Sequence, residues 1–145
     1  MEPLTKKIAL VAGATRGAGR GIAIRCDHTQ ESEVQALFER VKLERLDILV
    51  NDIWGGEKLI EWGKKFWELK LEQGFKLIER SIFTHVITSK YAAPLMLEHG
   101  GLILEITDGD TDVYRGNLFY DFIKNGVIRL AQGMAAEFEG QSIAD

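Results

Sequence analysis

Tyr120 and Lys124 stand four residues apart in the stretch YDFIK, a spacing that puts both side chains on one face of a helix. A phenol has an ordinary pKa near ~10, and an adjacent ammonium stabilises the phenolate, so the pair suits proton transfer to or from a substrate oxygen. Its plain reading is a solvated helix pair. A second cluster lies near the start, where Gly13, Gly17 and Gly19 of VAGATRGAG follow an apolar run. Glycines there permit a tight turn and close approach of backbone N–H groups to a pyrophosphate, and a following helix N-terminus adds partial positive charge. Glycine clusters also mark turns in general, so the weight comes from the position after a strand.

These residues need a scaffold, and the hydrophobic pattern supplies one. KKIALVAG (Lys6 to Gly13), LDILVN (Leu46 to Asn51) and GLILEIT (Gly101 to Thr107) are short continuous apolar runs, as expected of strands buried on both faces of a parallel sheet. Val34, Leu37, Phe38 and Val41 form a stripe at helical spacing after the polar HTQES. Phe75, Ile78, Ile82, Val86 and Ala93 form a longer one that Pro94 should end or bend. Ile123, Val127, Leu130, Met134 and Phe138 form a third, with Asn117 as a candidate N-cap. Strands alternating with helices predict an α/β sheet covered by helices. One domain over residues 1–145 is expected, without repeat, low-complexity tract or linker.

The order of these features carries a resemblance. A strand, the glycine loop, RCDHT with Asp27, ILVND at a strand end, a long helix ending in APLM, another strand, then Tyr120 and Lys124: this succession resembles the short-chain dehydrogenase/reductase family. The resemblance runs through nearly the whole chain, although the chain covers only part of the family's fold. It implies a Rossmann-like parallel sheet with flanking helices, and hydride transfer between a nicotinamide cofactor and a small carbonyl or alcohol substrate. By the same resemblance Gly13, Thr15, Arg16, Gly17 and Gly19 belong to the cofactor loop, with Asp27 at the adenine and Asn51 in the Asn-Asn-Ala-Gly element. Arg16 precedes the second glycine, where the family's basic residue favours NADP over NAD. Tyr120 would be the catalytic acid/base, and Lys124 would lower its pKa and hold the nicotinamide ribose. Thr107, thirteen residues before Tyr120, or Asp108, reached by counting along the strand from Gly101, would take the substrate-orienting position. Asp108 as a carboxylate would repel a developing alkoxide. Ser81, counted thirteen back from Pro94, maps to the family's helix Asn, which supports a proton relay.

The departures matter as much. In the family the glycine loop starts a full helix, then a second strand and helix, before the strand ending in Asp. Here GRGIAIRCD serves as both helix start and later strand, as an internal deletion would leave it. Gly13 to Arg20 is eight residues, whereas a parallel crossover needs about a dozen or more. Either Ile22 to Cys26 is a strand and the loop has no helix, or Arg16 to Cys26 is helical and the sheet loses a strand. Asp52, Ile53 and Trp54 replace the usual Asn-Ala-Gly. The sequence ends at EFEGQSIAD, where the resemblance would continue into further strands and a segment covering the substrate. The expectation is therefore an oxidoreductase whose activity in this shortened chain is weak or absent, or else a noncatalytic nucleotide-binding or self-association module. The long helices, a common dimer interface in the family, make a homo-oligomer the expected assembly.

Composition narrows the partners. A net charge of -4, with Lys and Arg scattered among acids, gives no electrostatic footprint for nucleic acid or an anionic membrane. The opening MEPLTKK lacks an apolar signal region and no apolar run reaches the roughly 18 residues of a membrane span, so a cytoplasmic location is expected. Cys26 is the single cysteine, which excludes an internal disulfide or a thiolate metal cluster. His28, His85 and His99 stand far apart and read as ordinary polar residues. DGDTD spaces Asp108, Asp110 and Asp112 like a calcium loop, but Val113 and Phe119 occupy its glycine and bidentate-acid positions. No metal is expected. Trp54, Trp62 and Trp67 could line a pocket, although packing is the commoner role of large aromatics.

Overall fold

The computed structural model describes residues 7–14, 21–108 and 113–144. Four parallel strands, β1 (Ala9–Ala12), β2 (Ile48–Asn51), β3 (Gly101–Glu105) and β4 (Ile143–Ala144), form one sheet in the order β1-β2-β3-β4. Ala9 lies opposite Ile48, and Ile48 opposite Leu102, so the C-terminal ends of β1, β2 and β3 are level. The three apolar runs read as strands are all present. The fourth strand is an addition: Gly101 N–H donates to Ser142 O at 3.1 Å, and Ile143 pairs with Gly101. The start of the sheet is fixed by buried Asp47, whose carboxylate accepts Ile8 N–H at 2.9 Å and pairs with Lys7 and Arg45. That backbone N–H first, then the two cations, holds the Asp47 carboxyl below its ordinary value.

Neither expectation for Ile22 to Cys26 holds. Residues 22–27 form neither strand nor helix, and Ile22 is 90% exposed while Cys26 packs against the core. The connection is too short to bring a parallel strand alongside β1. Among the described residues, β1 is therefore the outer strand. The turn that follows is built by Asp27, which accepts from Thr29 N (3.0 Å) and Thr29 Oγ1 (2.7 Å), an Asx-type turn that leads into a helix. This is α1 (Glu31–Val41), which buries Val34, Leu37 and Phe38 as its stripe predicts.

The second helical stretch differs from its pattern. It runs as α2 (Leu71–Ile78), a π turn (Glu79–Phe83), α3 (Thr84–Ala92) and a 3₁₀ turn at Pro94 (Ala93–Leu95). The buried residues are Gly74, Leu77, Ser81, Thr84, His85, Thr88, Ser89 and Ala92, whereas Phe75 and Val86 of the apolar stripe are exposed. The π turn inserts a residue into the helical repeat and so turns the face that meets the sheet. α4 (Leu118–Glu137) is N-capped as expected: Asn117 Oδ1 accepts from Tyr120 N at 3.2 Å. It buries Ile123 and Val127 and rests Met134 on the core. That core joins Val34 and Phe38 of α1 to Leu49 of β2, Ile103 of β3, Ala92 of α3, Met96 and Ile143 of β4.

Candidate active site

Parallel strands of this kind open their ligand crevice at their carboxyl ends, and a cavity of about 280 Å³ lies there. Asp52, Ile53 and Trp54 line it from beyond β2, Thr107 and Asp108 from beyond β3, Ser81 and His85 from the π turn and α3, and Lys124 from α4. The geometry near β1 explains one of the glycines. Gly13 has φ +86°, and a Cβ there would sit 2.0 Å from Asp52 O, so only glycine lets this turn cross the end of β2.

Tyr120 and Lys124 share a face, but their environment reverses the expected electrostatics. Tyr120 Oη donates to Asp108 Oδ2 at 2.8 Å. Burial, followed by this carboxylate, pushes the phenol up to about 12. The Lys124 ammonium lies 4.4 Å from the centre of the Trp54 ring and 5.4 Å from that of Tyr120, a cation–π arrangement. Burial lowers its basicity, against the pull of Asp108 and Asp52. Lys124 was expected to depress the phenol; burial and Asp108 raise it instead. Of the two candidates for the substrate-orienting position, it is Asp108 that touches Tyr120, while Thr107 Oγ1 faces Lys124 O at 3.4 Å.

Ser81 is buried in the cavity wall, and its Oγ has no hydrogen-bond partner among the described residues. Asn51 is buried inside the fold: its Nδ2 faces His85 O (3.2 Å), Ser89 Oγ (3.3 Å) and Glu105 Oε1 (3.2 Å). Asp27 is exposed, and its carboxyl is held low chiefly by the Thr29 hydroxyl. Thr15, Arg16, Gly17 and Gly19 lie outside the described residues, as do Asp110 and Asp112 of the calcium-like run. Among the described residues, no group of three His, Cys, Asp or Glu could hold a metal, and no helix is long and apolar enough to cross a membrane.

Two contributors were weighed in the sequence without being settled, and a third, His85, was missed. Trp54 and Trp62 pack their rings on Tyr120, at 5.7 and 5.1 Å between centres, so they wall the phenol rather than fill the core. His85, read as an ordinary polar residue, is 2% exposed and faces Glu105. One signal was available: Glu105 is the lone charge in the apolar run GLILEIT, and a buried carboxylate requires partners.

Comparison with known proteins places this architecture. A family model described as Enoyl-(Acyl carrier protein) reductase matches residues 3–144. The chain is 29% identical, over 184 aligned positions, to human dehydrogenase/reductase SDR family member 1, covering 98% of this chain and 59% of that protein. It is 37% identical over 92 residues to the 7alpha-hydroxysteroid dehydrogenase of Escherichia coli K12, covering 61% and 34%. Among solved structures, a short-chain dehydrogenase from Streptomyces avermitilis superposes with TM-score 0.75 at 22% identity, over 95% of this chain and 53% of that one. A chain described as ElxO with NADP bound superposes with TM-score 0.70 at 27% identity, over 83% and 48%.

The chain belongs to the short-chain dehydrogenase/reductase family. It spans about three-fifths, 59%, of the length of the human relative, and the 184 aligned positions exceed its own 145 residues. Part of that alignment has no counterpart in this chain. The family implies a nicotinamide cofactor. The cavity fits the reactive half of one: its wall holds a buried hydroxyl without a partner among the described residues on Ser81 and a cation on Lys124, and Tyr120 adjoins it through its hydrogen bond to Asp108.

Proposed function

We propose that the cavity is the site of an NAD(P)-dependent oxidoreductase acting on a small carbonyl or alcohol, with Tyr120 as its proton donor. The observation that carries this reading is the convergence of Tyr120, Lys124, Asp108 and Ser81 at the carboxyl ends of β2 and β3. When bound, the nicotinamide supplies or accepts the hydride. Tyr120, protonated at neutral pH and held so more firmly by the rise of its phenol to about 12, gives its proton to the substrate oxygen. Lys124 and Ser81 bind ribose and substrate hydroxyls, and Trp54 and Trp62 keep water off the phenol. Arg16, with Gly13, Thr15, Gly17 and Gly19, takes the phosphates and favours NADP; Asp27 takes the adenosine side, and Asn51, buried, supports the site through Glu105.

Asp108 restrains this chemistry. Its hydrogen bond occupies the phenol proton, so turnover is low in both directions and lowest for alcohol oxidation, which needs the phenolate. Calorimetric titration with NADPH and NADH tests the cofactor, with tighter NADPH binding expected. Carbonyl reduction by Tyr120→Phe tests the chemistry: the expected loss is at least a hundredfold, and equal rates in the two proteins would end the catalytic reading.

A second reading, a noncatalytic module that binds nucleotide or associates with itself, is favoured by a different observation. Phe75, Val86 and Phe122 are 59, 42 and 58% exposed on the outer faces of α2, α3 and α4, an apolar surface suited to a second copy. Nucleotide binding without turnover, from a dimeric chain in sedimentation, would put this reading first. The composition and the absence of a spanning helix among the described residues suit a cytoplasmic location, with neither nucleic acid nor membrane as a partner.

A further inference from the structure

His85 has an acceptor on each side of its ring. Nε2 points at Ile53 O, 3.1 Å away, and Nδ1 points at Glu105 Oε2. A neutral imidazole carries one N–H and one lone pair, so it could serve only one of these contacts. The other needs a further proton, on the ring or on the acid.

The surroundings of Glu105 say which. Its second oxygen, Oε1, accepts from Ser89 Oγ at 2.8 Å and from Asn51 Nδ2 at 3.2 Å. Two donors already on the carboxyl favour its ionised form, and a ring N–H from His85 would be the third. Both side chains are 2% exposed, and a lone charge at that depth would be costly. The pair is neutral as a whole with the proton on either partner, and the two donors on Oε1 favour the arrangement in which the ring holds two protons and the acid none. Around it, His28 lies half-buried before α1 with its ring on Thr88 Oγ1, at 2.8 Å, and Asp52 and Lys124 share the cavity wall. Burial lowers the basicity of His28, against the pull of Asp27, so the second histidine stays neutral beside the charged one.

What the ring holds is the loop beyond β2. Asp52 N–H donates to Ala12 O at 3.0 Å, Gly13 presses against Asp52 O, and His85 takes the next carbonyl, Ile53 O. The following residue is Trp54, on which Lys124 rests and against which Tyr120 packs. We infer that His85, doubly protonated against an ionised Glu105, is a positioning residue that fixes the Asp52–Trp54 wall against Tyr120 and Lys124. This does not depend on the chain being catalytic, because it concerns the wall and its proton rather than turnover.

The first test is the long-range proton–nitrogen NMR spectrum of histidine-labelled wild-type protein at neutral pH. Both His85 ring nitrogens should have the shifts of protonated nitrogen; one with the shift of a bare lone pair overturns the proton assignment. In Glu105→Gln the side-chain amide can donate to Nδ1, so His85 should revert to a single Nε2–H. A ring still doubly protonated in that variant removes Glu105 as the counter-ion. The wall is read from the fluorine signal of Trp54 in fluorotryptophan-labelled protein, identified by its loss in Trp54→Phe. That signal should shift and broaden in His85→Leu and return close to its wild-type position in His85→Gln, whose amide can still donate to Ile53 O. An unchanged signal in folded His85→Leu overturns the positioning role. If His85→Leu does not fold, the His85→Gln signal decides: a wild-type position supports the clamp, and a displaced one overturns it.

Discussion

The inner and outer faces of the helical run from Leu71 to Leu95 are nearly inverted. The inner face buries Ser81, Thr84, His85, Thr88 and Ser89 against the sheet, while the outer face shows Phe75, Phe83 and Val86 to solvent. Hydrophobicity alone would have set them the other way round. The inner face is polar because it belongs to a network: Thr84 Oγ1 and Thr88 Oγ1 donate to backbone carbonyls one turn back, Ser89 and Asn51 hold Glu105, and His85 ties Glu105 to Ile53. Buried polar groups are tolerated where each has a partner. Among the described residues Ser81 Oγ, like Asn51 Oδ1, has none, and Ser81 faces the cavity.

Glu105→Ala strikes the inner face hardest. It leaves His85, Ser89 and Asn51 without their shared acceptor, and breaking a buried pair from one side costs roughly 3–5 kcal/mol. Urea unfolding should show the loss as a lower midpoint, whereas Glu105→Gln should lose much less. Asp47→Ala comes next, at about 1–3 kcal/mol, because it strands the Ile8 N–H and two cations at the start of the sheet. Its pH dependence has a definite sign. The Asp47 carboxyl is held low in the folded chain, so its contribution is complete above the ordinary carboxylate value and is lost as pH falls through the lowered one. Wild type and variant should therefore converge in acid.

The third change sharpens the contrast at the site itself. In Asp108→Asn the phenolate absorbance of Tyr120, isolated by difference from Tyr120→Phe, should titrate below the present value of about 12. It should stop short of the ordinary ~10, because burial is the larger cause and remains. Alcohol oxidation at a fixed pH should rise with the added phenolate, about tenfold for each unit by which the phenol falls. The stability signature has the opposite sign to that of Asp47. A raised phenol favours the folded chain below the ordinary tyrosine value, and that contribution is lost as pH climbs from about 10 toward about 12.

How far the sequence reveals this depends on the kind of interaction. Strands and α1 are legible because uninterrupted apolar runs and a simple stripe have one way to be buried. The cap at Asn117 and the shared face of Tyr120 and Lys124 are legible because they are local. The tie between Tyr120 and Asp108 spans the loop between β3 and α4, so no spacing rule settles whether Asp108 or Thr107 meets the phenol. The inversion of the long helical run is hidden for another reason: a π turn changes the face without changing the composition. Ile22 to Cys26 has a strand's alternation, but a strand also needs a neighbour, and the short connection after β1 does not provide one.

The outer face offers the smallest effect on stability and the clearest on assembly. Phe75 is 59% exposed and touches Phe119 of α4 edge to face, 6.4 Å between centres. Val86, three residues beyond the π segment, is 42% exposed. A charge at Val86 removes little buried contact, so Val86→Lys should leave the unfolding midpoint within about 0.5 kcal/mol of wild type. If α2, α3 and α4 meet a second copy, the same lysine would be buried unpaired at the centre of that contact. Sedimentation should then show a dimer that dissociates in Val86→Lys at unchanged monomer stability. A wild-type chain that is monomeric throughout would mean that the outer face tolerates its apolar side chains without using them, and the inversion would then owe everything to the polar network inside.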